Sequence, residues 1–396
     1  MAKVIVGMSG GVDSAVAAYL LKKAGHDVIG VTLRTWEASD GENSRCCEID
    51  DARSVAHLID IPFHAFNCTS DFTKKVIDPF VSAYVSGQTP NPCIPCNRYV
   101  KWERMLYAAQ VLQADYVATG HYASVVRLDN GRYTVKKAKH ALKDQTYMLY
   151  RLTQQQLAAT LMPLGELSKQ EVREIAAQAG LPVAGKKDSQ EICFVPDGSY
   201  ASFIEDYLRK GTDTRQSAAS GEAAASAASG EGAASAALGE RSASAASGEA
   251  APLSLPPEGF FVDEEGNRLG RHKGIIHYTI GQRKGLGLAM GHPVFVKEIR
   301  PDSNEVVISE EDALFSSRIL CGDVNYMGVP DLRKGETLRC MAKVRYHHSP
   351  QEAVMEAIGP DQVMVSFKEP VRAPAPGQSA VFYDDNDCVI GGGYIL

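Results

Sequence analysis

A chain of 396 residues exceeds one ordinary domain of about 100–200 residues and predicts two or three domains with substantial cores. With 44% hydrophobic residues and a net charge of −7 it is neither a low-complexity chain nor a uniformly basic nucleic-acid binder, so contact with nucleic acid would have to come from local patches. No apolar run approaches the roughly 20 residues of a membrane span, and the N-terminus has no basic-apolar-small signal pattern, so the expected location is the cytoplasm, away from membranes, with its nine cysteines mostly reduced.

The first element in the chain is also the most informative. Val4-Ile5-Val6-Gly7 leads into Ser9-Gly10-Gly11-Val12-Asp13-Ser14 and then an Ala/Leu-rich run ending in Lys22-Lys23 before Gly25. That pattern predicts strand, tight glycine turn, and helix with cations at its C-terminal end. The glycines let the backbone approach a ligand, while the Ser9 and Ser14 hydroxyls and the free amides of the first helical turn face an anion. The loop lacks the Gly-Lys-Ser/Thr ending of a Walker A loop and the spacing of the Gly-x-Gly-x-x-Gly dinucleotide turn.

Further strands are predicted at 27–33, 62–66 and 116–120, with helices at 48–58, 72–85 and 97–112. Strands alternating with helices imply a doubly wound parallel sheet, whose ligands sit at the carboxyl ends of the strands. The glycine turn, Leu33 and Thr119-Gly120-His121 all fall there. A hairpin around Asp129-Asn130-Gly131 and helices at 154–161 and 169–180 complete an N-terminal domain over 1–205, which includes Lys186-Lys187-Asp188-Ser189-Gln190.

The composition changes over 212–257. Ser220-Gly221-Glu222, Ser229-Gly230-Glu231, Leu238-Gly239-Glu240 and Ser247-Gly248-Glu249 recur at nine-residue intervals in an Ala/Ser background. Without aspartates and paired glycines this is not a calcium-binding nonapeptide array, and it reads as a surface insert without chemistry. Many short strands follow, at 260–262, 275–280, 294–299, 305–308, 337–344, 353–358, 362–367, 379–383 and 388–390. They predict a small β-rich central domain over 206–292, interrupted by the insert, and a C-terminal β-barrel over 293–396.

Three cysteines stand out. Cys93 and Cys96 lie in Asn91-Pro92-Cys93-Ile94-Pro95-Cys96-Asn97, which places Cys96 at the N-terminus of a helix starting at Asn97, where the dipole favours a thiolate. No second Cys-x-x-Cys pair completes a zinc ribbon, and the adjacent Cys46-Cys47 has the wrong geometry for one. Cys193 lies in Ser189-Gln190-Glu191-Ile192-Cys193-Phe194; read alone, it is a small buried hydrophobe.

The 9–14 loop is similar, residue for residue, to the Ser-Gly-Gly-x-Asp-Ser signature of the PP-loop ATP pyrophosphatases. That loop, the Asn-Pro-x-x-x-Cys-Asn segment, Ala118-Thr119-Gly120-His121-Tyr122, Lys143-Asp144-Gln145-Thr146-Tyr147, the Cys193 motif and Thr279-Ile280-Gly281-Gln282-Arg283-Lys284-Gly285-Leu286-Gly287 appear in an order that resembles the tRNA-specific 2-thiouridylases. The likeness covers nearly the whole chain outside the insert. It implies an ATP site at Gly7, Met8, Ser9, Gly10, Gly11, Val12, Asp13 and Ser14, with Leu33 and Gly120 at the adenosine end and Mg2+ accompanying the nucleotide. It implies contact with the target base at Asn91, Pro92 and Cys93, and with tRNA at His121, Lys143, Asp144, Gln145, Arg345, Tyr346 and Gln378. Cys96 becomes the nucleophile and Cys193 the persulfide carrier, with a transient Cys96–Cys193 disulfide and Asp13 as a third catalytic residue. A sulfur donor protein, either a cysteine desulfurase or a relay protein, supplies the persulfide to a monomeric enzyme. Many members carry Asp where this chain has Cys93, which leaves a second route open: a [4Fe–4S] cluster on Cys93, Cys96 and Cys193. Two other readings compete with thiolation. A PP-loop ligase acting on a small molecule would leave both cysteines and the barrel unexplained. A non-catalytic tRNA-binding protein would have no use for an intact Asp13 and both serines.

Overall fold

The computed structural model describes residues 1–36, 49–186, 192–195, 198–219 (side chains to 210) and 253–396. Cys46-Cys47, the 187–191 part of the motif before Cys193, and most of the repeat-bearing insert lie outside the described residues.

β1 (Lys3–Gly7) passes through the glycine turn into α1 (Val12–Lys23), followed by β2 (Asp27–Arg34), α2 (Ile49–Leu58) and β3 (Phe63–Asn67). Two long helical stretches come next. The first joins α3 (Thr69–Phe72) to α4 (Asp78–Val85) through a π-turn at Thr73–Ile77. The second joins α5 (Cys93–Cys96) to α6 (Trp102–Val111) through another at Asn97–Lys101, and reaches β4 (Tyr116–Ala118). The hairpin β5 (Ala123–Arg127) and β6 (Tyr133–Lys137) precedes α7 (Gln154–Ala158), β7 (Thr160–Leu161), α8 (Lys169–Gln178) and α9 (Tyr200–Ala219).

The strand order is β3-β2-β1-β4-β7, with every pairing parallel. Period-two alternation sorts the side chains into two layers. Val4, Val6 and Val28 pack with Val16, Val55 and Val172 from α1, α2 and α8. Ile5, Ile29, Val31 and Val117 pack with Phe72, Phe80, Trp102 and Met105 from the two long helical stretches. The chain winds from β1 outward to β3 and then returns to β4 on the other side of β1. The switch point between β1 and β4 is where such a sheet opens a ligand crevice.

The other two units are β-rich, as expected, but their border shifts. β8 (Gly259–Val262), β9 (Arg268–His272), β10 (Phe295–Arg300) and β11 (Glu305–Ser309) form one sheet in the order β10-β11-β8-β9. The strands expected to open the barrel from 293 are therefore part of the central sheet, with β11 pairing in parallel with β8. The closed barrel starts at β12 (Phe315–Tyr326) and continues with β13 (Thr337–Lys343), β14 (Gln351–Gly359), β15 (Gln362–Arg372), β16 (Ser379–Tyr383) and β17 (Val389–Ile395). The strand expected at 275–280 is a 3-10 turn, Ile275–His277, entered from Gly274 at φ +114°. Ile275, Ile276 and Tyr278 are all buried there, so packing overrides their β propensity.

The barrel is fastened to the N-terminal domain by buried polar contacts. Tyr147 OH donates to the Ser379 carbonyl (2.7 Å), Tyr150 OH meets Ser379 Oγ (3.0 Å), and Thr134 Oγ1 donates to the Val389 carbonyl (2.6 Å). Arg151 donates to the Asp323 carbonyl (3.0 Å), pairs with the Asp323 carboxylate (2.7 Å) and lies 5.0 Å from the Tyr394 ring. Among the described residues no helix is long and apolar enough to cross a membrane.

The Arg151 side chain is 8% exposed and that of Asp323 is 65% exposed, so the two ends of this pair should respond differently to truncation. Arg151→Ala is expected to lower the unfolding free energy by about 2–3 kcal/mol, because it removes a buried guanidinium with its bonds to Asp323 and Tyr99 and its packing on the Tyr394 ring. Asp323→Ala, removing a solvated carboxylate, is expected to cost under about 1 kcal/mol. Chemical denaturation midpoints separate the two, and equal losses would contradict this picture of the interface.

Candidate active site

The glycine loop leaves β1 with Gly10 at φ +72° and enters α1 at Gly11, which supplies no side-chain cap to the first-turn amides. The serines shape the loop from inside. Ser9 N–H donates to Ser14 Oγ (3.1 Å), Ser14 Oγ donates to the Gly11 carbonyl (3.1 Å), and the two hydroxyls are 3.3 Å apart. Met8 N–H donates to the Val31 carbonyl of β2 (2.8 Å), and Thr32 Oγ1 donates back to the Met8 carbonyl (2.6 Å). These bonds tie the loop to β2. Met8 and Val12 are buried beneath it.

Gly120, just past β4, closes the crevice. A Cβ built there would lie 2.6 Å from the Ser14 nitrogen and 2.7 Å from the Asp13 carbonyl carbon. Only a residue without a side chain lets the β4 loop lie against the first turn of α1. Asp13 is held across the same gap, where Tyr122 OH donates to its Oδ1 (2.7 Å) and Lys169 Nζ donates to both oxygens (2.7 and 2.9 Å). Leu33 is buried in the apolar layer beside Ile5 and Val31.

The cysteine segment differs from expectation in one respect. The helix begins at Cys93 rather than Asn97, with the Asn91 side-chain oxygen accepting from Cys93 N–H (3.1 Å), and Cys96 N–H already donates to the Pro92 carbonyl (3.1 Å). Cys93 therefore takes the N-terminal position, and Cys96 ends the first turn. Cys96 is 6% exposed, in the apolar cluster with Ile94, Val100 and Tyr147. Half-buried Cys193 packs against that same cluster. Its neighbour Phe194 anchors the segment, with its ring 5.6 Å from Phe72, 5.2 Å from Phe80 and 5.2 Å from Phe203. The structure thus places two cysteines that are far apart in sequence on one apolar cluster, neither of them in a disulfide.

The donor set does not suit a metal cluster. Among the described residues no three His, Cys, Asp or Glu side chains are arranged to hold a metal, and Cys93, Cys96 and Cys193 are all described. The [4Fe–4S] alternative finds no ligand set here. The Asp13 carboxylate is the acid of the glycine loop, and Lys169 and Tyr122 already occupy it.

Several residues expected to face RNA are engaged within the protein. Asp144 is buried, accepting from Ala138 N–H (3.1 Å) and Thr146 Oγ1 (2.7 Å). Gln145 Oε1 accepts from Tyr122 N–H (2.9 Å). Arg345 Nη2 donates to the Ile280 and Ala373 carbonyls (2.8 and 2.9 Å), joining the central unit to the barrel. Gln378 Nε2 donates to the Thr89 carbonyl (2.8 Å), two residues before Asn91. His121 Nδ1 lies 2.8 Å from Thr119 Oγ1, and burial, helped by Lys101, pushes its pKa down to about 3. His121 is therefore a neutral hydrogen-bonding group across the working pH range. Tyr346 is half-buried; burial raises its pKa, and Asp144 and Cys93 add to the effect. The barrel's tyrosine is thereby a neighbour of the cysteine loop, with Lys343 Nζ 5.5 Å from its ring centre. Lys143 closes the turn Ala141–Lys143 and remains half-buried.

Sequence reasoning missed the roles of Tyr122 and Lys169. The signal for Lys169 was partial: Ser168 and Glu171 form a capping box that fixes the start of α8, but nothing nearby names Asp13 as its partner.

Comparison with known proteins fits this arrangement. Residues 2–197 match the tRNA methyl transferase HUP domain, 254–310 the tRNA methyl transferase PRC-barrel domain and 316–395 the aminomethyltransferase beta-barrel domain. A tRNA-specific 2-thiouridylase MnmA of Lachnoclostridium phytofermentans is 49% identical, with 100% of both chains covered. The chain belongs to the tRNA-specific 2-thiouridylase family. Its relative in Clostridioides difficile is 43% identical, with 99% of this chain and 98% of that one covered. Among solved structures, the U34-tRNA thiolase NcsA from Methanococcus maripaludis with its [4Fe-4S] cluster aligns at TM-score 0.32 and 20% identity over 55% of this chain and 67% of that chain. That likeness is too slight to carry the cluster to this thiouridylase.

Gly120→Ala should displace backbone rather than a flexible side chain, because the clashing atoms belong to Ser14 and Asp13. Overpacking of this kind costs about 1–3 kcal/mol, so nucleotide binding is expected to weaken about tenfold or more, measured by titration calorimetry on folded protein. Unchanged nucleotide affinity would remove Gly120 from the site.

Proposed function

We propose that the chain performs the reaction its relatives are named for, ATP-dependent conversion of uridine to 2-thiouridine in tRNA, at the anticodon wobble position. The observation that carries this reading is the full-length match to a thiouridylase at 49% identity, in a chain whose glycine loop lies at the sheet's switch point. The cradle of Gly7, Met8, Ser9, Gly10, Gly11, Val12, Asp13 and Ser14 receives the phosphates, and Gly120 and Leu33 border the adenosine end. Mg2+ bound with the nucleotide would neutralise phosphate charge.

The uridine 2-oxygen attacks the α-phosphorus. An O–P bond forms, the bond to the bridging oxygen breaks, and pyrophosphate leaves into the glycine loop, where backbone amides and the helix dipole stabilise it. The base C2 now carries AMP as a good leaving group. The terminal sulfur of a Cys193 persulfide, delivered by a sulfur donor protein, attacks C2. The Cys96 thiolate then attacks Sγ of Cys193, closing a disulfide and leaving the sulfur on the base as AMP departs. An external reductant restores both thiols.

Cys96 begins from a buried position, so the base and persulfide must reach it in a site closed to water, which would otherwise hydrolyse the activated uridine. The target base leaves its stack to enter, and Asn91, Pro92 and Cys93 line its approach. His121, Lys143, Asp144, Gln145, Arg345, Tyr346 and Gln378 form and support the tRNA-facing rim; those already bonded within the protein hold its shape. The enzyme acts as a monomer in the cytoplasm.

Cys96→Ser and Cys193→Ser are each expected to lower 2-thiouridine formation by on the order of a hundredfold or more, with tRNA affinity near wild type. Nucleoside mass spectrometry and filter binding read the two effects separately. Wild-type product from either variant would discard the assignment of that cysteine.

A further inference from the structure

Two lysines converge on the glycine loop from outside its motif. Lys169 is the first residue of α8, fixed there by the capping box in which Glu171 N–H donates to Ser168 Oγ (3.1 Å) and Ser168 N–H donates to Glu171 Oε2 (2.7 Å). Its ammonium donates to both oxygens of Asp13 at 2.7 and 2.9 Å, in the first turn of α1. Lys186 Nζ donates to the Gly10 carbonyl (3.2 Å) and to Asp51 Oδ2 (2.7 Å). The loop that cradles the phosphates is therefore flanked by two cations from the far end of the domain.

The Lys169–Asp13 pair is partly buried, with side chains 15% and 32% exposed, and ties α8 to α1, but that role does not account for its place at the mouth of the loop. The carboxylate holds the ammonium at one spot, the first turn of α1, where the amides of an anion-binding loop begin. A polyphosphate entering that loop carries several negative charges and out-competes one carboxylate for the lysine. When the α–β bond breaks, charge builds on the departing pyrophosphate, and a cation already beside it stabilises that charge.

We propose that Lys169 is a pyrophosphate-binding residue: Asp13, itself bonded by Tyr122, holds its ammonium at the loop, and the ammonium transfers to the β- and γ-phosphates of the bound nucleotide. The inference rests on the reading of the loop as an ATP site. Lys169 then touches the leaving group, and Asp13 positions Lys169.

The test measures ATP, inorganic pyrophosphate and AMP binding to the full chain and to Lys169→Met and Lys169→Arg. The methionine variant is expected to bind ATP and pyrophosphate about tenfold to a hundredfold more weakly, the loss of one charge-assisted contact, and AMP within about threefold of wild type. The arginine variant should keep most of the preference for ATP over AMP. Equal losses for ATP and AMP would show Lys169 to be only an anchor between α1 and α8, and overturn the proposal. So would undiminished ATP binding by the methionine variant. Should that variant fail to fold, amine acylation of Lys169 in the wild-type protein decides: pyrophosphate must slow it and AMP must not, and absence of protection overturns the proposal. A wild-type protein that binds no ATP would instead refute the ATP reading itself.

Discussion

The site depends on a close approach that a single methyl group would prevent. Gly120 lets the end of β4 lie against the backbone of Asp13 and Ser14, and so brings the β1 loop and the β4 loop together at the one place where the sheet reverses its winding. That contact has consequences on both sides. It sets Tyr122, two residues on, against Asp13, and it turns His121 inward beside Trp102, their rings 5.5 Å apart, where burial keeps the imidazole neutral. The uncapped first turn of α1 then faces the crevice, with its serines used for loop shape rather than for capping.

The three units meet around this domain rather than following it as beads on a string. Arg345 bridges barrel and central unit through the Ile280 and Ala373 carbonyls, and Gln378 reaches Thr89 next to the cysteine loop. Gly377 at φ +84° permits the same docking, since a Cβ there would lie 2.9 Å from Gln88. Residues whose motifs suggest contact with RNA thus first set the relative positions of barrel and cysteine loop. A pocket that must admit a flipped base and then exclude water needs walls fixed from several domains, and these contacts are placed to fix them.

Much of this was legible in the sequence, for identifiable reasons. Alternation in β1 and β2 gives both layers of the sheet, and the strand-turn-helix pattern locates the phosphate loop, because both signals are local. β12 was not among the expected strands: Ser316, Ser317, Arg318 and Asp323 break its apolar pattern, and the strand exists because barrel closure supplies β15 on one edge and β17 on the other. The burial of Cys96 was not legible either, because it depends on Tyr147 and its neighbours packing over a helical turn that starts at Cys93, four residues before the expected Asn97. The Lys169–Asp13 contact spans 156 residues, a pairing that only the folded chain displays.

The central claim is that the glycine cradle activates the base by joining its 2-oxygen to the nucleotide's α-phosphorus. Substrate tRNA carrying ¹⁸O at that oxygen of the target uridine tests it directly, with single-turnover products analysed by mass spectrometry. The account predicts AMP that has gained one labelled oxygen for each 2-thiouridine formed. Unlabelled AMP, with the ¹⁸O recovered in water or retained on the base, would contradict it.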